Sequence, residues 1–277
     1  MSADSLTLGL SPCPNDTYIF HALLHGLVPA PAPLTPHMAD VEELNGLALR
    51  RRLPVSKVSL GVLPHIMEDY AVLSSGAALG WGCGPLVVAR EPLPESAWKN
   101  AHVAVPGLMT TANLLLDLHG GFQGERREML FSDVMEAVAS GGADMGVIIH
   151  EGRFTYATRG LVKLLDLGQW WEAVHHAPLP LGAIAVRRDI PGDIAHAMQD
   201  AIRQSLDYAN AHPEASRDYV RACARELSDD VTRAHIRTFV TDFSRDLGDA
   251  GRAAIERLIT AAGKTGAALP AGGLFLN

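Results

Sequence analysis

The sequence predicts a two-lobed α/β fold with a ligand cleft between the lobes, and three observations lead there. Short apolar runs alternate with amphipathic stretches, as strands alternate with helices in α/β proteins. A unit of helical stripe, turn, short apolar strand and polar residues occurs twice, around 41–63 and again around 132–151. Two apolar, β-prone runs, GPLVVAR at Gly84–Arg90 and GAIAVRR at Gly182–Arg188, begin at glycine and end in arginine, as crossings between lobes would. On that reading residues 1–86 and 187–277 form one lobe and residues 87–186 the other.

In chain order, Ser5–Leu10 reads as the first strand. The turn SPCPND breaks it, because two prolines and an Asn-Asp pair cannot continue a ladder. Asp16 then caps a helix whose Ile19, Phe20, Leu23 and Leu24 share one face, and Gly26 closes it. Leu44, Leu47 and Ala48 make the next helical stripe, Pro54 ends it, and VSKVSLGVL returns as a strand. HVAV at 102–105 leads to a helix starting near Thr111. Ser132 or Asp133 starts a helix carrying Val134, Ala137 and Val138, Gly141 and Gly142 stop it, and Met145–Ile149 forms a buried strand. After Pro191 the chain reads as packing helices: Ile194–His212, Glu214–Glu226, Ser228–Phe243 and Gly251–Lys264. The tail LPAGGLFLN reads as loop with Leu274 and Phe275 packed.

The 277 residues suffice for two modest cores, and 48% hydrophobic with 19% charged residues is ordinary globular composition. The net charge is −8 and the basic residues are scattered; Arg50–Arg52 sit near a helix end, where cations complement the helix dipole. No basic face is offered, so no nucleic-acid partner is expected. The N-terminus lacks a basic stretch followed by a long apolar core, and no run reaches the ~18 apolar residues of a membrane helix, so neither a secretory leader nor a membrane partner is expected. Three distant cysteines, Cys13, Cys83 and Cys223, argue against a disulfide framework and for a reducing, cytoplasmic setting, and no CxxC pair suggests a metal. GxGxxG, Walker-type, HExxH and GxSxG motifs are all absent.

Ligands of open α/β sheets bind beyond the carboxyl ends of strands. The polar residues there are Ser11, Cys13, Asn15 and Asp16; Lys57 and Ser59; Thr110 and Thr111; and His150, Glu151 and Arg153. His150 emerges from a buried strand and is either a proton acceptor, its reference pKa being about 6.5, or a hydrogen-bonded strand-end histidine. Glu151 is adjacent but points away on an extended chain. Thr110 and Thr111 suit either an anionic ligand or a plain helix cap. Lys57, with Ser59 on the same side, either pairs with an anionic substrate or snorkels. Cys13 reads as a small buried thiol rather than a nucleophile, and one of Trp170 and Trp171 could wall an aromatic ligand.

Five of these stretches, SPCPNDTYIF at Ser11–Phe20, GPLVVAR at Gly84–Arg90, GVIIHEGRFTY at Gly146–Tyr156, PLPLGAI at Pro178–Ile184 and LSDDVTRAHI at Leu227–Ile236, resemble the 1,4-dihydroxy-6-naphthoate synthase family of the futalosine route to menaquinone. The similarity runs in order from Leu6 to about Phe243. It implies a periplasmic-binding-protein-like fold and a cofactor-independent lyase acting on cyclic dehypoxanthine futalosine. It also implies His150 as proton acceptor and substrate contacts from Lys57, Ser59, Thr111 and Ala112, to which strand-end placement adds Ser11, Asn15 and Thr110. Where the family commonly has Ser after His-Glu, this chain has Gly152. A monomer or a homodimer is expected. The rival readings are chorismate dehydratase, which lacks the SPCPND and IIHE motifs, and a non-catalytic solute-binding protein, which the fold alone permits.

Overall fold

The computed structural model describes residues 5–224, 227–263, 270 and 272–277. The strands are β1 (Leu6–Leu10), β2 (Leu34–Met38), β3 (Val55–Ser59), β4 (Tyr70–Val72), β5 (Ala78–Gly80), β6 (Leu86–Ala89), β7 (Val103–Val105), β8 (Arg126–Glu128), β9 (Met145–Ile148), β10 (Val162–Asp166) and β11 (Leu179–Arg187). Between them lie α1 (Pro14–Leu24), α2 (Val41–Leu49), α3 (Leu63–Ile66), α4 (Thr111–His119), α5 (Val134–Ala139), α6 (Gly152–Thr155) and α7 (Leu167–His175). The chain finishes with α8 (Gly192–Ala211), α9 (Arg217–Cys223), α10 (Asp229–Phe239), α11 (Asp242–Arg245) and α12 (Gly248–Ala261).

Two sheets result, one ordered β2-β1-β3-β11-β4 with β5 also on β11, the other β8-β7-β9-β6-β10. In each, the first three strands are parallel and the next is antiparallel to the third. The repeated unit seen in the sequence is therefore a topological repeat: β3 and β9 hold the same place in their sheets, as do the helices α1 and α4 that follow β1 and β7. Equivalent strand ends and equivalent helix N-termini can thus converge on one site, which is the use this topology has.

An apolar cluster joins the sheets, running from Val58, Leu60 and Leu79 through Leu114 and Leu115 to Val103 and Met145. A second packs α1 and α8 on the first sheet through Leu8, Ile19, Phe20, Met198 and Ile202. Leu274 and Phe275 are buried as expected. Burial of such side chains, at ~25 cal/mol per Å² of apolar surface, is the main stabilising term.

Several expectations need correction. Asp16 does not cap α1: the helix starts at Pro14, since proline is preorganised for the first helical position, and Cys13 is the N-cap. β11 pairs throughout with β3, β4 and β5, so the chain has rejoined the first sheet by Leu179, before the crossing read at Gly182–Arg188. We propose that the lobes follow the sheets, which keeps the first boundary near residue 86 and moves the second from 187 to just before 179. The segment Ser228–Phe243 is two helices, because Val240 turns extended and Thr241 caps a new one. The expected helix ends at Glu226 and Lys264, and Leu269 and Ala271 of the tail, lie outside the described residues. Trp171 is fully buried with Nε1 donating to the Pro178 carbonyl, and Trp170 packs against the core; neither walls the cavity at the strand ends.

At the first crossing two backbones touch. A Cβ on Gly84 would fall 2.2 Å from the Gly168 Cα, so this junction of β6 and α7 admits glycine alone. The Arg153 guanidinium pins it, donating to the Gly84 carbonyl and, at 3.0 Å, to the buried Asp166 carboxylate. Among the described residues no helix is long and apolar enough to cross a membrane.

Candidate active site

A cavity of about 690 Å³, counted to its open mouth, lies where the ends of β3 and β9 meet the N-termini of α1 and α4. Its wall contains Ser11, Asn15, Lys57, Ser59, Thr110, Thr111, Ala112 and His150, the residues expected to contact or act on substrate, whereas the other strand-end candidates Cys13 and Glu151 are not among its lining residues. Val41, Phe239, Leu181 and Ile149 add apolar surface, and Arg153 lies at the edge beside Gly84.

The α1 end is organised by Asp16, which is fully buried. As the third helical residue it reaches back over the turn: its carboxylate accepts from the Ser11 amide (3.1 Å) and hydroxyl (2.8 Å). It also accepts from the Asn15 amide group (2.8 Å) and from Lys57 Nζ (2.9 Å). Lys57 is almost as buried, its side chain 7% exposed. Removing two charges from water costs several kcal/mol each, and mutual pairing plus these extra donors offsets it. Ser11, Asn15 and Lys57 are therefore engaged first with Asp16, a residue that the sequence offers as a helix cap and a strand-end polar group but not as the anchor of the others.

The same chain reaches α10. Because Asn15 donates its amide to a carboxylate, its Oδ1 is an acceptor, and His235 Nε2 at 3.0 Å must donate to it. His235 is fully buried, its Nδ1 has no hydrogen-bond partner, and its ring lies nearly parallel to that of His150, centroids 6.0 Å apart. Burial above all, then the neighbouring His150 and Lys57, holds its pKa well below the ordinary histidine value.

His150 stands just beyond β9 with φ +54°. Two other non-glycine residues in the described chain share that left-handed conformation, Arg51 and His176, and both follow helix ends, where it is routine. His150 closes no helix, and a strained backbone of this kind costs about 1–3 kcal/mol. The ring is held edge-on by Phe131 (centroids 5.0 Å), and Nδ1 sits 3.7 Å from Cys13 Sγ. Nε2 is sealed from solvent and has no hydrogen-bond partner. Burial drives the imidazole pKa down to about 4, against the upward pull of Asp16. Cys13 is a protonated thiol, its pKa pushed up by burial above all. His150 is thus a neutral, oriented imidazole on the cavity wall whose Nε2 is buried and unpartnered.

At the α4 end Thr110 is the N-cap, accepting from the Asn113 amide at 3.2 Å. Thr111 Oγ1 bonds the Leu181 carbonyl (2.6 Å) and accepts from the Gly61 amide (3.2 Å), tying the helix to the first sheet. The amides of Thr111 and Ala112 belong to the first turn, which has no intrahelical partners, and no acidic side chain occupies that turn. Ser59 lines the same space from β3, and its amide donates to Asn45 Oδ1.

Sequence reasoning missed Asp16 as an anchor, His235, and the α2 pair Glu42 and Asn45. Asp16 is visible in the SPCPND turn and His235 in LSDDVTRAHI, but their partners are 41 and 220 residues away. Among the described residues no group of three or more His, Cys, Asp or Glu side chains is arranged to hold a metal ion.

A family model described as menaquinone biosynthesis matches residues 6–264. A 1,4-dihydroxy-6-naphthoate synthase of Thermus thermophilus is 49% identical over 268 residues, covering 96% of this chain and 97% of its own. One of Streptomyces coelicolor is 45% identical over 271 residues, covering 96% and 95%. A crystal structure of an Archaeoglobus fulgidus protein superposes with a TM-score of 0.89 at 31% identity, covering 96% of this chain and 99% of that one. A Candida albicans protein described as exhibiting the generic periplasmic binding protein structural fold superposes at TM-score 0.67 and 13% identity, covering 94% and 90%, and speaks for the fold alone. The architecture is periplasmic-binding-protein-like, as expected, and the chain belongs to the menaquinone biosynthesis family.

Proposed function

We propose that this enzyme of menaquinone biosynthesis is a lyase that converts cyclic dehypoxanthine futalosine to 1,4-dihydroxy-6-naphthoate and a sugar-derived fragment. The observation carrying this reading is His150: strained, neutral, with Nε2 bare, and set in the wall of the cavity. Its Nε2 removes a proton near the spiro carbon that links sugar and ring, and cleavage follows, driven by aromatisation. The Asp16–Lys57 pair lies close enough to shift the His150 pKa in opposite directions, so a change in either charge retunes the base.

The substrate carboxylate goes to the N-terminus of α4 rather than to Lys57. Lys57 is already bonded to Asp16, whereas the first turn of α4 lines the cavity with Thr111 and Ala112 and carries no acidic side chain of its own, the nearby Glu42 and Glu128 being engaged with the Met109 and Leu108 amides. Closure of the walls excludes water from a carbanion-like intermediate. We place the enzyme in the cytoplasm, in keeping with its three free cysteines.

Purified protein mixed with cyclic dehypoxanthine futalosine is expected to yield the naphthoate without added cofactor. Tight binding with no turnover would favour a binding protein, and turnover of chorismate would favour the dehydratase. The pH profile gives a second check. The base is active when neutral, so kcat/KM, which reports the free enzyme, is expected to stay level from pH 8 down to about 5 and to fall as pH drops through about 4. A limb near 6.5 would mean that the base is an ordinary exposed histidine.

A further inference from the structure

The turn that carries Thr110 and Thr111 belongs to the second sheet, yet it is gripped from the first. Glu42 and Asn45 lie three residues apart on α2, on one face of that helix. Glu42 accepts from the Met109 amide (2.8 Å) through Oε1 and from the Asn45 side-chain amide (2.8 Å) through Oε2. Asn45, fully buried, also contacts the Met109 carbonyl (3.4 Å), and its Oδ1 accepts from the Ser59 amide. One asparagine therefore touches both walls of the cavity, the end of β3 and the loop before α4.

The loop is shaped to receive this grip. Gly107 has φ +140°, and a Cβ there would stand 2.5 Å from Glu42 Cδ, so any side chain would displace the carboxylate. From its own sheet Glu128 takes the neighbouring Leu108 amide at 3.0 Å and lies beside Glu42. Thr110 Oγ1 in turn donates to the Gly107 carbonyl at 2.7 Å. Residues 107–110 are thus held by one carboxylate from each sheet.

We propose that Glu42 and Asn45 are positioning residues, a clasp that sets the α4 N-terminus against Ser59 and so governs substrate affinity rather than turnover. The substrate part of this inference rests on reading the cavity as the lyase site; the clasp itself does not. A ligand that must first close the loop pays that cost in apparent affinity, and a preformed clasp removes it. Once substrate is bound its own contacts hold the loop, so the chemical step is little changed.

The test uses the full chain and two readouts. Hydrogen exchange of the ligand-free protein is measured for wild type, Glu42→Gln and Glu42→Ala. Faster exchange is expected across 107–113 in Glu42→Ala, with α8 unchanged and Glu42→Gln intermediate, since the amide keeps one acceptor. Steady-state kinetics are expected to show KM raised about tenfold in Glu42→Ala with kcat within about twofold. Gly107→Ala, which displaces the same carboxylate, is expected to raise KM less on the Glu42→Ala background than alone. Unchanged exchange in Glu42→Ala overturns the clasp whatever the substrate is. Faster exchange with lowered kcat and unchanged KM overturns the affinity role. Faster exchange in a protein whose wild type turns nothing over keeps the clasp and removes the lyase reading instead.

Discussion

Replacing His150 by Asn is expected to lower kcat by about 10²–10⁴, the contribution of a well-placed general base, while the fold persists. Asparagine is chosen because it tolerates the left-handed backbone that His150 adopts, so the φ of +54° is kept without new strain. The substitution removes the sealed, unpartnered Nε2, whose burial itself costs about 1–3 kcal/mol. Thermal stability is therefore expected to be equal to wild type or higher, which separates loss of chemistry from loss of structure. Near-wild-type kcat would take the role of base away from His150. A collapsed melting point would show that the residue is held for packing against Phe131 and Cys13.

The largest stability effect is expected at the Asp16–Lys57 pair. Breaking a buried ion pair by removing one partner costs about 3–5 kcal/mol, a large share of the 5–15 kcal/mol that holds a typical protein folded. The two sides are not equal. Lys57→Met leaves Asp16 with donors from Ser11 and Asn15, so it falls at or below the low end. Asp16→Ala deprives the buried ammonium of the carboxylate it donates to and frees Ser11 and Asn15 at once, so it falls at the high end. Denaturant titration is expected to rank Asp16→Ala as the less stable, with the double variant Asp16→Ala/Lys57→Met more stable than Asp16→Ala alone. Additive losses would show that the pair is not coupled.

How much the sequence discloses depends on how local each signal is. Thr110 announces itself as a cap because its partner amide is three residues on, and β9 as a strand because MGVII needs no distant information. Lys57, Ser59 and His150 are legible as polar residues at the ends of apolar runs, and the repeated topology is what makes those positions meet at one site. The failures that bear on the site are mostly long-range, whereas the start of α1 at Pro14 and the break after Phe239 are local. Asp16 reads as a cap because its Lys57 partner cannot be seen from the SPCPND turn. Pro14, which moves the helix start three residues upstream, turns the same carboxylate from cap to anchor. β11 reads as an apolar run in isolation, and only pairing with three first-sheet strands shows which sheet owns it. His235 lies on a helix whose polar and apolar faces give no hint of chemistry, and its role depends on Asn15, 220 residues earlier.

The central claim is that a substrate lies in this cavity with its acidic C–H at His150, and the most direct measurement is a crystal structure of the His150→Asn protein with cyclic dehypoxanthine futalosine bound. The carboxylate is expected at the Thr111 and Ala112 amides, and the carbon that loses its proton is expected to face the side chain at position 150, within about 3–3.5 Å of where Nε2 stood. Substrate bound elsewhere, or bound here with that carbon turned away from position 150, would contradict the account.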